Sequence, residues 1–264
     1  MKTAPDFARY KAENRRISMV TAYDAWSARL VAHSHVDAVL VGDSLAMVMH
    51  GHPTTLPATV ELMALHTRAV AGSVGDKFLV ADLPFLSFRK GIPSALTAVG
   101  TLMANGAQAV KLEGLDGHED VIQHIVNSGV PVMGHIGLIP QSVNQFGGFR
   151  VQGRNKTDAA NLLRQAQVLE ELGCFAIVLE CVPTELASRI TSALKLPTIG
   201  IGAGPGTDGQ VLVLQDLWGV NESHAPRFVR RYIQGERLLT DALNRFDEDV
   251  KEALFPTPDE SYSS

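Results

Sequence analysis

The chain has 264 residues, of which 45% are hydrophobic and 19% charged, a composition that is typical of a folded globular protein and excludes a disordered one. Its net charge of -5 provides no basic surplus for binding phosphates, so we expect no nucleic-acid partner. No apolar run reaches the roughly 20 residues that cross a bilayer and residues 1–10 lack a signal-peptide core, so we expect a cytoplasmic protein without a membrane partner.

Eight short apolar runs in the chain predict eight β-strands. The runs are nearly continuous in Val, Ile, Leu and Ala, which is typical of strands buried on both faces of a parallel sheet. In chain order they cover residues 19–21, 38–41, 78–81, 109–112, 130–133, 175–179, 198–201 and 211–214. Segments with helical spacing alternate with them, at residues 60–70, 95–103, 121–126, 159–172 and 186–194. This alternation predicts an α/β fold, a (β/α)8 TIM barrel that forms a single domain over residues 1–254.

The ends of the chain and its last crossover are less regular than the rest. Residues 4–14 predict a helix that caps the bottom of the barrel, and residues 227–254 predict a charged helix that closes the outer ring. The connection at residues 203–210 is so short that the seventh crossover helix must be small. Residues 255–264 contain two prolines and end in serines, which predicts a flexible C-terminal tail.

Polar residues follow five consecutive predicted strands. In barrels of this class the active site lies at the carboxyl ends of the strands, so these residues should converge on one mouth. They are Asp43, Asp82, Glu113, His135 and Glu180. The set predicts an active site at the carboxyl end of the barrel.

The three carboxylates Asp43, Asp82 and Glu113 come from neighbouring strands. Packed carboxylates repel one another, and a hard cation such as Mg²⁺ or Mn²⁺ relieves the repulsion while leaving positions open for substrate oxygens. Each carboxylate alone is equally explained as a helix cap or as a member of a buried ion pair. The set of three favours a metal site.

Lys111 and Glu180 are the candidates for substrate binding and proton transfer. Lys111 lies two residues before Glu113, so both side chains share the inward face of the fourth strand. The lysine could bind a substrate carboxylate, form a Schiff base, or make an internal ion pair with Glu113 or Asp82. Glu180 lies between two apolar residues, which would raise its pKa and favour a general base, although it could also cap the helix that begins near Thr184.

Three weaker signals complete the set of polar features. His135 is a candidate donor to a substrate oxygen, or a barrel histidine without a catalytic role. His50 and His52 have a spacing that suits a metal, but their loop is rich in Gly, Pro and Thr and favours exposed or lid residues. The glycine-rich loop at residues 200–204 resembles a backbone cradle for an anion.

Seven short motifs give the chain a family resemblance. They are Thr21-Ala22-Tyr23-Asp24, Val41-Gly42-Asp43-Ser44-Leu45, Ala81-Asp82-Leu83-Pro84-Phe85, Lys111-Leu112-Glu113-Gly114, Gly134-His135-Ile136-Gly137-Leu138, Leu179-Glu180-Cys181-Val182-Pro183 and Ile199-Gly200-Ile201-Gly202-Ala203-Gly204. Over residues 21–216 the chain thereby resembles the ketopantoate hydroxymethyltransferases. The resemblance implies transfer of a hydroxymethyl group from 5,10-methylenetetrahydrofolate to 3-methyl-2-oxobutanoate, giving 2-dehydropantoate for pantothenate and coenzyme A synthesis.

The same resemblance implies a role for each strand-end residue. Mg²⁺ would be held by Asp43 and Asp82, with Glu113 supporting it directly or through water, and Glu180 would be the proton acceptor. The implied substrate-binding residues are Asp43, Ser44, Asp82, Lys111 and His135. A divalent cation would stabilise the enolate formed when Glu180 removes the proton from carbon three. The family also implies a cytoplasmic homodecamer.

Three other functions remain open on the sequence. The first is an aldolase that uses Lys111 as a Schiff base without a metal, and the second is a metal-dependent lyase of the related carboxylate-lined barrels. The third is a scaffold or folate-binding protein without turnover, which would leave the five polar strand ends unexplained. Borohydride trapping, substrate trials and the Glu180→Gln variant distinguish them.

Overall fold

Eight parallel strands close into a barrel in the computed structural model, which describes residues 2–221 and 226–262. The strands are β1 Ile17–Thr21, β2 Ala38–Val41, β3 Phe78–Asp82, β4 Ala109–Glu113, β5 Val132–Gly137, β6 Ala176–Glu180, β7 Thr198–Ile201 and β8 Gly209–Leu212. Each strand pairs with the next in sequence, and β8 pairs with β1, so the sheet has no open edge. The predicted (β/α)8 TIM-barrel class is confirmed.

Helices occupy most of the connections between the strands. They are α1 Ala4–Ala12, α2 Ala25–Ala32, α3 Leu45–Val48, α4 Val60–Ala71, α5 Ile92–Ala104, α6 Glu119–Asn127, α7 Val143–Phe146, α8 Lys156–Glu171, α9 Thr184–Ala193, α10 Leu214–Trp218 and α11 Gly235–Lys251. Two 3-10 turns are added at Pro140–Ser142 and Pro258–Glu260. The five crossover helices expected from helical spacing are all present, with ends that differ by up to three residues. No helix in the described residues is long and apolar enough to span a membrane.

The N-terminal helix α1 supplies side chains to the bottom of the barrel core. Its start is set by a capping box between Thr3 and Asp6. Phe7 is fully buried, and its ring centroid lies 5.3 Å from those of Phe78 and Phe175, both near the beginnings of their strands. The expected capping helix is therefore present, and it ends at Ala12 rather than at residue 14.

Inward-facing side chains change from apolar to polar along β3, β4, β5 and β6. Met19, Leu40, Val80, Met133 and Val178 are among the apolar residues of the buried cluster inside the barrel. Side chains alternate with a period of two, so the next inward positions toward the carboxyl end lie two residues further on. These positions carry Asp82 after Val80, Lys111 and Glu113 after Ala109, His135 after Met133, and Glu180 after Val178. The strand periodicity thus delivers polar groups to one mouth.

Two strand predictions were wrong by two or more residues at both ends. The fifth strand was expected at residues 130–133 but begins at Val132, because Pro131 has no N–H for the ladder, and continues to Gly137. The eighth was expected at residues 211–214 but begins at Gly209, which pairs with Ile17 of β1. It ends at Leu212 because the chain enters α10 at Leu214.

The seventh crossover contains no helix. Residues 202–208, all of which the structure describes, form only turns and bends between β7 and β8. Asp208 stabilises this connection, since its carboxylate accepts a hydrogen bond from the backbone N–H of Thr198 at 2.9 Å. The expectation of a small helix was therefore wrong, because residues 202–208 are all used by the turns that join β7 to β8.

The chain divides into two compact units, Met1–Val213 and Leu214–Ser264. The first contains the complete barrel. In the second, α11 begins only at Gly235, so the helix expected from residue 227 is shorter than predicted. Gly235 passes so close to the Trp218 carbonyl that a side chain would not fit there. The single-domain boundary at residue 254, the closing of the outer ring and the flexible tail stay predictions.

Candidate active site

The polar strand ends form one continuous network of contacts in the barrel mouth. Lys111 Nζ lies 3.0 Å from Asp82 Oδ1 and 3.1 Å from His135 Nδ1. His135 Nδ1 lies 3.5 Å from Glu113 Oε1, and His135 Nε2 lies 3.2 Å from Glu180 Oε2. The contacts of Asp82 Oδ1 and His135 Nε2 are ion pairs whose alignment falls short of a hydrogen bond. Five predicted site residues are therefore in direct contact along one chain of atoms.

Asp43 joins this network through its main chain and through a glutamine. The Asp43 N–H donates to Asp82 Oδ2 at 3.0 Å, which links the ends of β2 and β3. Asp43 Oδ2 accepts a hydrogen bond from Gln141 Nε2 at 2.8 Å, and the Gln141 N–H donates to Glu113 Oε2 at 2.9 Å. The structure therefore brings all three predicted acidic residues together, and Gln141 is an additional residue between them.

Ser44 lies beside this network in contact with a buried tyrosine. Its Oγ is 2.7 Å from the hydroxyl of Tyr23, and burial raises the pKa of that phenol, so it remains protonated. Tyr23 belongs to a motif that carried the family resemblance, but no role was predicted for it. The role of Tyr23 becomes visible only through its contact with Ser44, which no sequence pattern indicates.

Burial controls the electrostatics of the site. Asp43, Asp82, Lys111, Glu113 and His135 are each at most 4% exposed. Burial, together with the charges of Glu113 and Asp82, raises the pKa of Asp43 well above its usual value. Burial would lower the pKa of Lys111, but the charges of Asp82, Glu113 and Asp43 outweigh it and raise that pKa. The ammonium form of Lys111 is therefore strongly favoured.

The environment of His135 fixes one proton on its Nε2 atom. Burial and the charge of Lys111 lower its pKa, but Glu113 and Glu180 outweigh them and raise it to about 9. In the protonated ring, Nδ1–H points to Glu113 and Nε2–H to Glu180. In the neutral ring, Nδ1 accepts from the Lys111 ammonium and Nε2–H still faces Glu180. In both states the Nε2–H therefore lies beside the Glu180 carboxylate as an electrostatic contact, not as a well-aligned hydrogen bond.

Glu180 lies at the more open side of the mouth. Its side chain is 17% exposed, and its nearest charged neighbour is His135, so its surroundings are not simply apolar as the sequence predicted. Its backbone oxygen accepts a hydrogen bond from Leu138 at 2.8 Å. Gly137 has φ 95° and passes so close to this oxygen that a Cβ atom would collide with it. This glycine is required for the chain to pass Glu180.

The acidic residues fit a divalent cation of the Mg²⁺ type. Asp43 and Asp82 are buried oxygen donors at the ends of adjacent strands. Burial, together with neighbouring carboxylates, raises the pKa of each, so a bound cation would favour their ionised form. In the described residues no group of three or more His, Cys, Asp or Glu side chains is already spaced to hold a metal. Mg²⁺ sites commonly use one or two protein carboxylates, with water and substrate completing the shell. Two aspartates are therefore sufficient.

The remaining sequence signals lie outside this network. His50 is exposed, and its Nε2 atom lies 3.0 Å from Nε2 of His66, whose Nδ1 contacts the Tyr23 carbonyl. His52 is also exposed, as expected for both loop histidines. The glycine-rich loop at residues 200–204 lies at the end of β7, and its role as an anion cradle stays a prediction.

Comparison with known proteins gives a consistent family. A model of the family described as ketopantoate hydroxymethyltransferase matches residues 1–258. The 3-methyl-2-oxobutanoate hydroxymethyltransferase of Coxiella burnetii is 54% identical over 253 residues, which cover 96% of this chain and 95% of the relative. The protein of that name from Bdellovibrio bacteriovorus is 54% identical over 263 residues, covering 100% of both chains. The one from Legionella pneumophila is 52% identical over 258 residues, covering 97% and 98%.

Solved structures that resemble the chain share its fold at low sequence identity. Phosphonopyruvate hydrolase in complex with oxalate and Mg²⁺ has a TM-score of 0.62 at 13% identity, covering 98% of this chain and 93% of that one. The 2,3-dimethylmalate lyase of the PEP mutase/isocitrate lyase superfamily has a TM-score of 0.61 at 15% identity, covering 100% and 89%. These neighbours establish the barrel architecture.

Proposed function

The chain belongs to the ketopantoate hydroxymethyltransferase family, and from this premise we propose that it transfers the one-carbon unit of 5,10-methylenetetrahydrofolate to 3-methyl-2-oxobutanoate. Water supplies the hydroxyl oxygen, and the products are 2-dehydropantoate and tetrahydrofolate. The observation that carries the proposal is the buried contact chain from Asp82 through Lys111 and His135 to Glu180. The Lys111 ammonium and the Glu180 carboxylate lie within one mouth, which supports the proposal.

Lys111 is proposed to hold the carboxylate of the keto acid. Its ammonium group is buried beside Asp82 and has a raised pKa, so it remains charged when substrate enters. A charged amine attracts a carboxylate but is a poor nucleophile, which favours binding over a Schiff base. Ser44, oriented by Tyr23, would donate a second hydrogen bond to the substrate.

Asp43 and Asp82 are proposed to hold a divalent cation, with Mg²⁺ the best match to their hard oxygen donors. When bound, the cation would supply positive charge that draws electron density from the keto group. Glu113 already accepts a hydrogen bond from the Gln141 N–H and lies near His135, so a supporting role suits it better than direct ligation. The positive charge that polarises the substrate would come from the cation, and the three carboxylates would hold or support that cation.

Glu180 is proposed to remove the proton from carbon three of the keto acid. Its Oε2 lies 3.2 Å from Nε2 of His135, and its carboxylate is the most accessible acidic group of the network. Removal of the proton leaves an electron pair on carbon three, and this carbon forms a bond to the methylene carbon of the folate. Both carbon–nitrogen bonds of that methylene carbon break, and the oxygen of water takes its remaining position. The proton from carbon three and one from water end on the two nitrogens of tetrahydrofolate. His135 keeps the base oriented during this step rather than accepting the proton itself, because its Nε2 already carries one.

The direct test is a turnover assay with 3-methyl-2-oxobutanoate and 5,10-methylenetetrahydrofolate. Formation of 2-dehydropantoate that depends on both substrates and stops on chelation supports the proposal. Turnover that resists chelation, with borohydride trapping of the keto acid on Lys111, would replace it by the Schiff-base aldolase. Cleavage of a larger acid in place of transfer would indicate a metal-dependent lyase.

A further inference from the structure

Gln141 connects two acidic side chains in the barrel mouth. It lies in the 3-10 turn Pro140–Ser142, directly after β5, and is 4% exposed. Its Nε2 atom donates to Asp43 Oδ2 at 2.8 Å and to the Leu83 carbonyl at 3.0 Å. Its backbone N–H donates to Glu113 Oε2 at 2.9 Å. Gln141 thus holds the carboxylate of Asp43, which follows β2, and that of Glu113, which ends β4.

The orientation of the Gln141 amide is determined by its neighbours. Both partners of Nε2 are acceptors, so a flipped amide would place Oε1 against two oxygens. With Nε2 in this position, Oε1 is buried and has no hydrogen-bond donor among the described residues. An unpaired buried acceptor disfavours the folded state. The contact with Asp43 is therefore kept at a cost in stability, which is typical of a functional contact.

We propose that Gln141 is a positioning residue that prepares Asp43 to bind the divalent cation. The inference rests on the proposed function, because it takes Asp43 and Asp82 as the residues that hold the cation. Asp43 lies near two other acids, Asp82 and Glu113, which repel its carboxylate. The hydrogen bond from Gln141 engages Oδ2 and so sets the plane of the carboxylate before a cation arrives.

Glu113 takes part in the same arrangement through the main chain of Gln141. The backbone N–H of Gln141 donates to Glu113, and this hydrogen bond fixes the position of the turn that carries the side-chain amide. Hydrogen-bond partners of ligating residues typically change metal affinity 10- to 100-fold when they are removed. Loss of the Gln141 side chain should therefore weaken cation binding by about that factor, without removing a ligand.

The test is a titration of the full-length protein with Mn²⁺ in the absence of both substrates. Gln141→Met keeps the length of the side chain and the backbone N–H, but removes the donor to Asp43. Gln145→Met is the matched control, because Gln145 is exposed on the neighbouring helix α7. Calorimetry should give an affinity about 10- to 100-fold weaker for Gln141→Met and an unchanged affinity for Gln145→Met. The melting temperature of each variant is measured without cation, so that a loss of affinity is read only from folded protein.

Each outcome bears on the inference separately from the proposed function. Equal Mn²⁺ affinity in wild type and Gln141→Met would overturn the positioning role while leaving the cation site intact. Absence of Mn²⁺ binding to the wild type would overturn the cation site and the inference with it. In turnover assays, kcat of Gln141→Met should recover at saturating Mn²⁺, and a kcat that stays low would overturn a role exerted through Asp43. Should Gln141→Met not fold, Gln141→Leu is read in the same way.

Discussion

Replacement of Glu180 by glutamine separates proton removal from the later carbon–carbon bond step. The variant keeps the length of the side chain, and its amide oxygen can still accept from His135 Nε2, which lies 3.2 Å from the native carboxylate. The ability to take a proton is lost, together with the negative charge that helps to raise the pKa of His135. General-base catalysis is worth roughly 10²- to 10⁴-fold in rate, which corresponds to about 3 to 5 kcal/mol in the activation free energy.

The assay is exchange of the carbon-three proton of 3-methyl-2-oxobutanoate with deuterated water. Proton NMR follows the exchange with Mg²⁺ present and folate absent, so that no carbon–carbon bond can form. Keto-acid affinity measured by calorimetry should survive in Glu180→Gln, and Glu185→Gln provides a control at an exposed position of α9. Exchange by Glu180→Gln at the wild-type rate would refute the base assignment, and His135 would be the next candidate.

Three further substitutions test the electrostatics of the chain. Asp43→Asn should abolish Mg²⁺ binding in calorimetry, and retained affinity would contradict the site. Its melting temperature should not fall, because the amide is not repelled by Glu113 and Asp82, whose charges together with burial raise the pKa of Asp43. Lys111→Ala should raise KM for the keto acid more than it lowers kcat, since substrate and transition state share that contact, and an unchanged KM would contradict this. Burial raises the pKa of Asp37, but hydrogen bonds from Ser18 and the charge of Lys2 outweigh it and place the pKa below its usual value. Asp37→Asn should therefore lower the free energy of unfolding at pH 7 by about 2 kcal/mol. In urea titrations this difference should shrink as the pH falls below about 4, because the carboxyl of the unfolded chain is protonated before that of the folded protein; an equal difference at pH 3 would contradict the assignment.

The strand-end residues could be predicted from sequence because they follow from local periodicity. An apolar run that continues at a period of two places Asp82, Lys111 and His135 inward without any knowledge of the fold. Their convergence then follows from the parallel arrangement, since the carboxyl ends of all strands meet at one mouth. The candidate site was therefore accessible to sequence reasoning once the barrel was predicted.

Gln141 could not be predicted in this way, for a physical reason. It lies in an irregular 3-10 turn, where no periodic pattern indicates which way a side chain points. Its partner Asp43 is 98 residues away in sequence, and the contact exists only because the barrel brings the two segments together. The same limitation applies to β5, whose second half contains polar and glycine residues and so lacks the apolar pattern of a buried strand. It also applies to the β7–β8 connection, where the hydrogen bond between Asp208 and the Thr198 N–H depends on the folded arrangement.

The unbroken contact chain from Asp82 to Glu180 also limits how this site can change over evolutionary time. Each member is the partner of the next, so a substitution at Lys111 alters the surroundings of His135 and, through it, of Glu180. Effects of mutations at groups in one such network do not add. A single substitution in this network is therefore expected to lower activity, and a second substitution at a contacting position would be needed to restore it. Diversity in such a barrel is therefore expected to accumulate in its loops and helices while the chain of charges at its mouth changes only as a unit.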